Sequence, residues 1–263
     1  MVYFVATPIG NLKEITFRAV EVLKDADAIF CEDTRHSLPL LRHYGIDKPL
    51  YSYHKYNEKG SLEFVLQMAE SKNIAVISDA GMPCISDPGN LLVNALNSRS
   101  IEYTVVSGAS AFVNAFVLSG FSVPFTFAGF LPEKNADRKR YIGKLDDTNT
   151  LIFYLSVHDI VKDRDFLLEH LGDRRVCLVK EISKLHEKAR FSMLSEIEDD
   201  SKGEFVLVVE GKPRVPDWEG LTPVQHVNLL IEQGSDKNTA IKTVARLRGV
   251  NKNEIYRLVV NNE

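Results

Sequence analysis

Ser78-Asp79-Ala80-Gly81-Met82-Pro83-Cys84-Ile85-Ser86-Asp87-Pro88-Gly89 follows the short apolar run Ile74-Ala75-Val76-Ile77 and precedes a helix-like pattern from Leu91. The apolar run reads as a buried parallel strand bounded by turn signals. The loop after it holds two Asp, two Gly and two Pro. Prolines stiffen such a loop, and Gly81 and Gly89 let a ligand approach the backbone. In open α/β sheets the ligand crevice lies at the carboxyl ends of the strands, where this loop is expected.

Working outward, short apolar runs alternate with amphipathic stretches. Strands are expected at Val2–Ala6, Ala28–Glu32, Leu50–Tyr53, Ile74–Ser78 and Tyr103–Val106. Helices are expected at Thr16–Lys24, Leu38–His43, Leu62–Lys72, Leu91–Ser98 and Ala111–Ser119. This alternation argues for an α/β fold with a parallel sheet covered on both faces. Phe125–Phe130 then leads into Leu131-Pro132-Glu133-Lys134 and a charged stretch, Asn135 to Lys144, that reads as a domain junction. Beyond it, strands at Leu151–Leu155, Arg175–Lys180, Arg190–Leu194 and Phe205–Glu210, with helices at Ile160–Leu171 and Ser195–Asp200, suggest a second, smaller unit of mixed strand direction.

Lys212-Pro213-Arg214-Val215-Pro216 reads as a linker. Thr222-Pro223 then opens a helix in the cap-then-proline order. Gly234 stops that helix, Ser235 or Asp236 caps a second one ended by Gly249, and Asn251 caps a third. The three resemble a helix-turn-helix bundle, or a helical tail packed on the body. The expected domains are therefore 1–124, 125–215 and 216–263.

The chain has 263 residues with 44% hydrophobic and 26% charged residues, as in globular proteins. No apolar run approaches the ~20 residues of a membrane span, and no signal peptide is expected before the first strand. Cys31, Cys84 and Cys177 are widely spaced and form no CxxC pair, which suggests reduced thiols of a cytoplasmic protein and no metal site. The net charge of -4 means that any nucleic-acid affinity must come from local patches.

The first strand ends in Ala6-Thr7-Pro8-Ile9-Gly10-Asn11-Leu12, where a Rossmann fingerprint would stand and is absent. The second ends in Cys31-Glu32-Asp33-Thr34-Arg35-His36. Asp33 there either caps the next helix and pairs with Arg35, or orients and deprotonates a hydroxyl while Arg35 grips a phosphate. From Arg42 to Lys59 basic residues interleave with aromatics, including Tyr51, Tyr53, His54 and Lys55. This mixing suits stacking on unpaired bases, or a half-buried strand. Val106-Ser107-Gly108-Ala109-Ser110-Ala111 begins a helix after the fifth strand, so several loops converge on one ligand site.

Seven ordered motifs carry a resemblance over nearly the whole chain. They are the first- and second-strand ends just quoted, Ser52-Tyr53-His54, Ser78–Gly89, Gly129–Lys134, Leu151-Ile152-Phe153-Tyr154 and Gly203–Gly211. Together they resemble the ribosomal RNA small subunit methyltransferase I family of bacteria, a branch of the tetrapyrrole methylase superfamily. The resemblance implies the class III methyltransferase architecture, S-adenosyl-L-methionine held between two α/β domains, a homodimer, and 2'-O-methylation of a cytidine ribose in 16S rRNA of the small ribosomal subunit. By position, Pro8, Ile9, Gly10, Asp79, Gly81, Met82, Ser110 and Ala111 would line the cofactor pocket from the first domain. Tyr154, Leu155, Ile182, Glu204 and Phe205 would line it from the second. Asp33 is the expected proton acceptor, and Arg35, Arg42, His54, Lys55, Lys134, Arg138 and Arg140 the expected RNA path. On the same fold a small-molecule, tetrapyrrole-type methylase is the alternative, and a non-catalytic RNA-binding assembly factor is another.

The chain departs from the family pattern in three places. It has Met82 for Thr, Ser107-Gly108-Ala109-Ser110-Ala111 for Pro-Gly-Pro-Ser-Ala, and Tyr154-Leu155-Ser156-Val157-His158-Asp159 for Tyr-Glu-Ser-Pro-His-Arg. Losing two prolines is expected to loosen the fifth-strand loop, and Leu155 and Asp159 to change the charge beside the cofactor or RNA.

Overall fold

The computed structural model describes residues 1–198, 202–213 and 218–260. Met1–Lys212 forms one compact unit and Pro213–Glu263 another.

The first unit holds two five-stranded sheets. Strands β1 (Val2–Val5), β2 (Ala28–Cys31), β3 (Leu50–Ser52), β4 (Ile74–Val76) and β5 (Tyr103–Val106) pair in parallel in the order β3-β2-β4-β1-β5. Alternate residues face opposite sides, so Phe4, Phe30 and Val76 join one core while Val5, Ile29, Cys31 and Ala75 join the other. Both faces are therefore covered, as parallel sheets require. The helices that follow these strands are α1 (Phe17–Asp25), α2 (Thr34–His43), α3 (Glu58–Ser71) and α4 (Asn90–Ser98), which cover the sheet, and α5 (Ala111–Ser119), which packs on the second sheet.

Helix α2 begins four residues earlier than its apolar pattern suggests, because the Asp33 carboxylate accepts the Arg35 N–H at 2.8 Å and caps the helix. Helix α3 likewise starts at Glu58. The His54 ring Nδ1 accepts the Tyr56 and Asn57 N–H groups, each at 3.2 Å, and holds the turn that leads into it.

The second sheet runs β6 (Phe125–Phe130), β7 (Thr150–Leu155), β10 (Phe205–Val209), β8 (Arg175–Lys180) and β9 (Lys188–Met193). Only the β6–β7 pair is parallel. Helix α7 (Ile160–Leu171) covers one face. The other face receives α5 and Ile9 from the first half, which pack with Ile152, Val179, Ile182 and Val206 in one shared core. The chain passes from one sheet to the other between α5 and β6. Of the short helix expected over Ser195–Asp200 the structure shows a 3-10 turn, Leu194–Glu196, and residues 199 and 200 lie outside the described residues.

The charged stretch after Pro132 is not an open junction. It folds as helix α6 (Asn135–Ile142), and Arg138, expected to bind RNA, is 3% exposed. Its guanidinium lies 2.8 Å from Asp163 of α7, donates to the Pro132 carbonyl and packs on the Phe166 ring. An arginine so enclosed is not available to a phosphate. The Tyr51–Tyr53 alternation does set both rings on one face, but that face is core. Tyr51 stacks on Phe30 at 5.3 Å, and Tyr53 is 2% exposed. The Tyr53 hydroxyl donates to Glu58, which also accepts the Gly89 N–H, so the pair supports the loop that precedes α4.

In the second unit, α8 (Pro223–Glu232), α9 (Lys237–Arg248) and α10 (Lys252–Val260) enclose Val227, Ile241, Val244 and Ile255. Thr222 and Gln225 form a capping box, and Asp236 caps α9 through the Thr239 N–H. Arg248 lies over the Trp218 ring and donates to the Trp218 and Leu221 carbonyls. The expected linker residues 214–216, and with them the boundary at 215/216, lie outside the described residues.

Removing one member of a buried ion pair leaves an uncompensated charge and costs about 3–5 kcal/mol. Arg138→Ala should therefore destabilise the protein by about 3 kcal/mol in urea unfolding. Arg140→Ala, in an exposed pair with Asp137, should stay within about 0.5 kcal/mol.

Candidate active site

The loops that leave β1, β2, β4 and β5 all emerge at the carboxyl edge of the first sheet, and β4 inserted between β2 and β1 makes a topological switch point there. Two backbone hydrogen bonds tie the first and fourth loops together. Thr7 N–H donates to the Gly81 carbonyl at 2.9 Å, and Gly81 N–H donates back at 3.2 Å. Gly81 has φ +83°, and a Cβ there would lie 3.3 Å from the Ile9 side chain. A residue with a side chain would be both strained and crowded at this point. Cys84 and Ser86, at φ +70° and +66°, also hold left-handed backbone, so the Ser78–Gly89 loop is built in an uncommon conformation.

Between this edge and the second sheet lies a cavity of about 520 Å³. From the first half Ile9, Asp79, Gly81, Met82, Ser110 and Ala111 line it, and from the second half Tyr154, Leu155, Ile182, Glu204 and Phe205. Eleven expected pocket residues thus meet around one space. Pro8 and Gly10 are not among its lining residues. Pro8 is buried behind the wall. Gly10 lies against the second half: a Cβ there would meet Lys184 Cγ at 2.4 Å and the Ile182 carbonyl at 3.2 Å.

The wall contains carboxylates and no cationic side chain among its described lining residues: Glu32, Asp79, Asp87 and Glu204. Glu32 continues β2 on the Phe30 side, whereas Asp33 does not line the cavity. Asp33 is held by Arg35, whose guanidinium donates twice to it, and its pKa falls to about 2. A carboxylate so stabilised is a poor proton acceptor, so the structure favours the helix-cap reading over the base. Burial, then the charges of Asp87 and Asp79, lift Glu32 from 4.5 to about 7. Burial also lifts Asp87 from 3.8 to about 6, and Ser78 hydrogen-bonds to it. The Glu32 and Asp87 carboxyl groups act on one another, so they titrate as a pair and both are shifted upward. The signal for Glu32 lay in the period-2 alternation of β2, which carries residue 32 onto the face of Phe30.

The departures from the family pattern fall in different surroundings. Gly108 approaches Ala6 so closely that a Cβ would lie 2.7 Å from that methyl, which requires glycine at this point of the fifth-strand loop. Leu155 and Val157 make the neighbouring wall apolar. Asp159 is spent on Lys162, at 3.1 Å in the first turn of α7, and does not line the cavity.

Residues 1–198 match the family model for tetrapyrrole (corrin/porphyrin) methylases. The architecture agrees with the crystal structure of uroporphyrin-III-C-methyltransferase from Thermus thermophilus, at a TM-score of 0.56 and 19% identity over 80% of this chain and 93% of that one. The protein belongs to the tetrapyrrole methylase superfamily and, within it, to the ribosomal RNA small subunit methyltransferase I family. It is 42% identical to ribosomal RNA small subunit methyltransferase I of Halalkalibacterium halodurans, over 97% of this chain and 93% of that protein. Against the Bacillus subtilis protein of that name it is 38% identical over 97% and 92%. The chain is thus a methyltransferase, and S-adenosylmethionine is its methyl donor. No helix of the described residues is long and apolar enough to cross a membrane.

Glu32 and Asp87 bind protons more tightly in the folded than in the unfolded chain. Stability should therefore be lost as pH rises between about 4 and 7. Glu32→Gln should flatten that part of the stability curve and raise the melting temperature at pH 8, as read by calorimetry on the ligand-free protein.

Proposed function

We propose that the protein methylates the 2'-hydroxyl of a cytidine ribose in 16S rRNA, working on the small ribosomal subunit in the cytoplasm, with the cavity as the site of transfer. One observation carries the reading: a half-apolar cavity with four carboxylates and no cationic side chain suits a nucleoside carrying a positive charge. The sulfonium of S-adenosylmethionine is such a group, and it supplies an activated methyl that needs no metal.

Asp79, Ser110 and the backbone at Gly81 would hold the polar groups of the donor, and Met82, Ile182, Leu155 and Phe205 its apolar surface. Alignment of hydroxyl and methyl is the larger contribution such a site can make. The same reading divides the chain at 124/125 and 215/216, with the second α/β domain completing the cleft and the helical domain extending RNA contact.

RNA would cross the carboxyl edge. Lys55 follows β3 there and is exposed, and Lys134 follows β6 and is exposed at the start of α6. Arg140 is exposed on α6, whereas Arg35 is partly neutralised by Asp33. His54 already uses its Nδ1 within the chain. Arg42 sits at the far end of α2, about 12 Å of helix from the edge. A homodimer is supported by an apolar face on α5 and its surroundings, where Val117 and Val123 are each 72% exposed beside Val113, Phe125 and Phe191.

The test is methyl transfer from labelled S-adenosylmethionine to small subunits from a strain lacking this protein. One 2'-O-methylated cytidine in 16S rRNA is the expected product, and label on a tetrapyrrole alone, or none, rejects the reading. Asp79→Asn keeps an acceptor for the Asp33 N–H at 3.3 Å but removes a charge. It should weaken S-adenosylmethionine binding at least several-fold in titration calorimetry while barely moving the apo melt. Lys55→Ala with Lys134→Ala should lower the slope of log affinity for RNA against log salt by about 1.4.

A further inference from the structure

Methyl transfer to a ribose hydroxyl leaves one chemical need unmet by alignment alone. As the O–CH3 bond forms, the S–CH3 bond breaks with its electron pair remaining on sulfur, and the hydroxyl must lose a proton. The positive charge on sulfur is discharged, so a carboxylate that accepts the proton ends neutral and the step balances.

We propose that Glu32 accepts this proton, with Asp87 as the carboxyl group that titrates with it. The assignment rests on reading the cavity as the site of transfer to a ribose. Three observations carry it. Glu32 lines the cavity and is the first residue after strand β2. Its Oε1 is buried and accepts no hydrogen bond from the protein, so that side of the carboxyl group carries no protein donor. Asp79 through its backbone and Asp87 through its side chain lie close enough to the Glu32 carboxyl group to act on its charge, and the Ser78 hydroxyl donates to the Ala80 and Gly81 carbonyls of the same loop.

The rival acceptors are engaged otherwise. Asp33 is locked by Arg35 and the first turn of α2. Tyr154, pushed up to about 12 by burial, keeps its own proton at neutral pH. Asp87 has Ser78 and Glu32 as partners.

The ionisable groups around Glu32 are Cys31 and Asp33 beside it in sequence, Asp79 and Asp87 from the loop after β4, and Tyr154, which feels Asp87, from β7. All of these are neutral or negative, so together they favour the protonated form of Glu32 in the empty cavity. With a cationic methyl donor bound in the cavity, Glu32 would be held in its charged form, and its affinity for a proton would return once the donor's positive charge is lost in the transfer. A pocket built this way would be base in the reactant state and acid in the product state.

The experiment compares wild type with Glu32→Gln. Calorimetric titration in two buffers of different ionisation heat, at pH 6.5, counts protons released on binding. Wild type should release a fraction of a proton with S-adenosylmethionine and less with S-adenosylhomocysteine, and Glu32→Gln should abolish the difference. With small subunits as substrate, the single-turnover rate of wild type should rise with pH to a plateau. Glu32→Gln should be slower by about 10²-fold or more and lose that rise. Asp87→Asn should keep the rise but shift it to lower pH. A Glu32→Gln protein that binds the donor and transfers at the wild-type rate, or that releases protons as wild type does, overturns the assignment. If wild type itself binds no S-adenosylmethionine or methylates no rRNA, the underlying function falls, and the assignment with it.

Discussion

The two reciprocal hydrogen bonds between Thr7 and Gly81 hold the site together. They join the loop after β1 to the loop after β4 across the switch point of the first sheet. Thr7 is buried and its hydroxyl also donates to the Ser78 carbonyl, so the tie has no slack toward solvent. From it two consequences follow. Ile9 is placed against Gly81 on one side and against the second sheet's core on the other. Asp79, two residues before Gly81, is turned toward the Asp33 N–H and the cavity. A single local constraint thereby sets the first wall of the pocket and couples it to the second.

Electrostatics inside the cavity follow from what the fold leaves out. Its described wall offers no cationic side chain to offset Glu32, Asp79, Asp87 and Glu204. Lys184, beside that wall, is held by Glu181 and Glu204 at 3.0 and 2.8 Å. Burial, with the like charges around them, raises Glu32 and Asp87, whereas Asp33, with its own guanidinium, is lowered. An arrangement of this kind stores a preference for a positively charged guest.

Much of this was legible in the residues. Alternating apolar runs located every strand of the first sheet to within two residues, since buried parallel strands are short and bounded by turns. The motif loops gathered as expected, because strand ends at one sheet edge must be neighbours. The misreadings share one physical cause: burial is a tertiary property. Arg138 looked like a surface cation until Asp163, seen from another helix, proved to be its partner. Tyr51 and Tyr53 have the spacing of a stacking platform, yet Phe64 of α3 closes over the former and Glu58 claims the hydroxyl of the latter. Asp33 drew attention because it adjoins Arg35, and the same adjacency is what disarms it. Glu32, one residue earlier, gains its properties only from Asp87, far away in sequence.

Binding of S-adenosylmethionine in the carboxylate-lined cavity between the two sheets can be seen in a crystal structure of the protein with the donor. The methionine and adenosine portions are expected between the Asp79–Met82 loop and the Tyr154–Leu155 strand end, with the sulfonium turned toward Glu32 and Asp87. Density for the donor at any other surface, with this cavity holding only solvent, would contradict it.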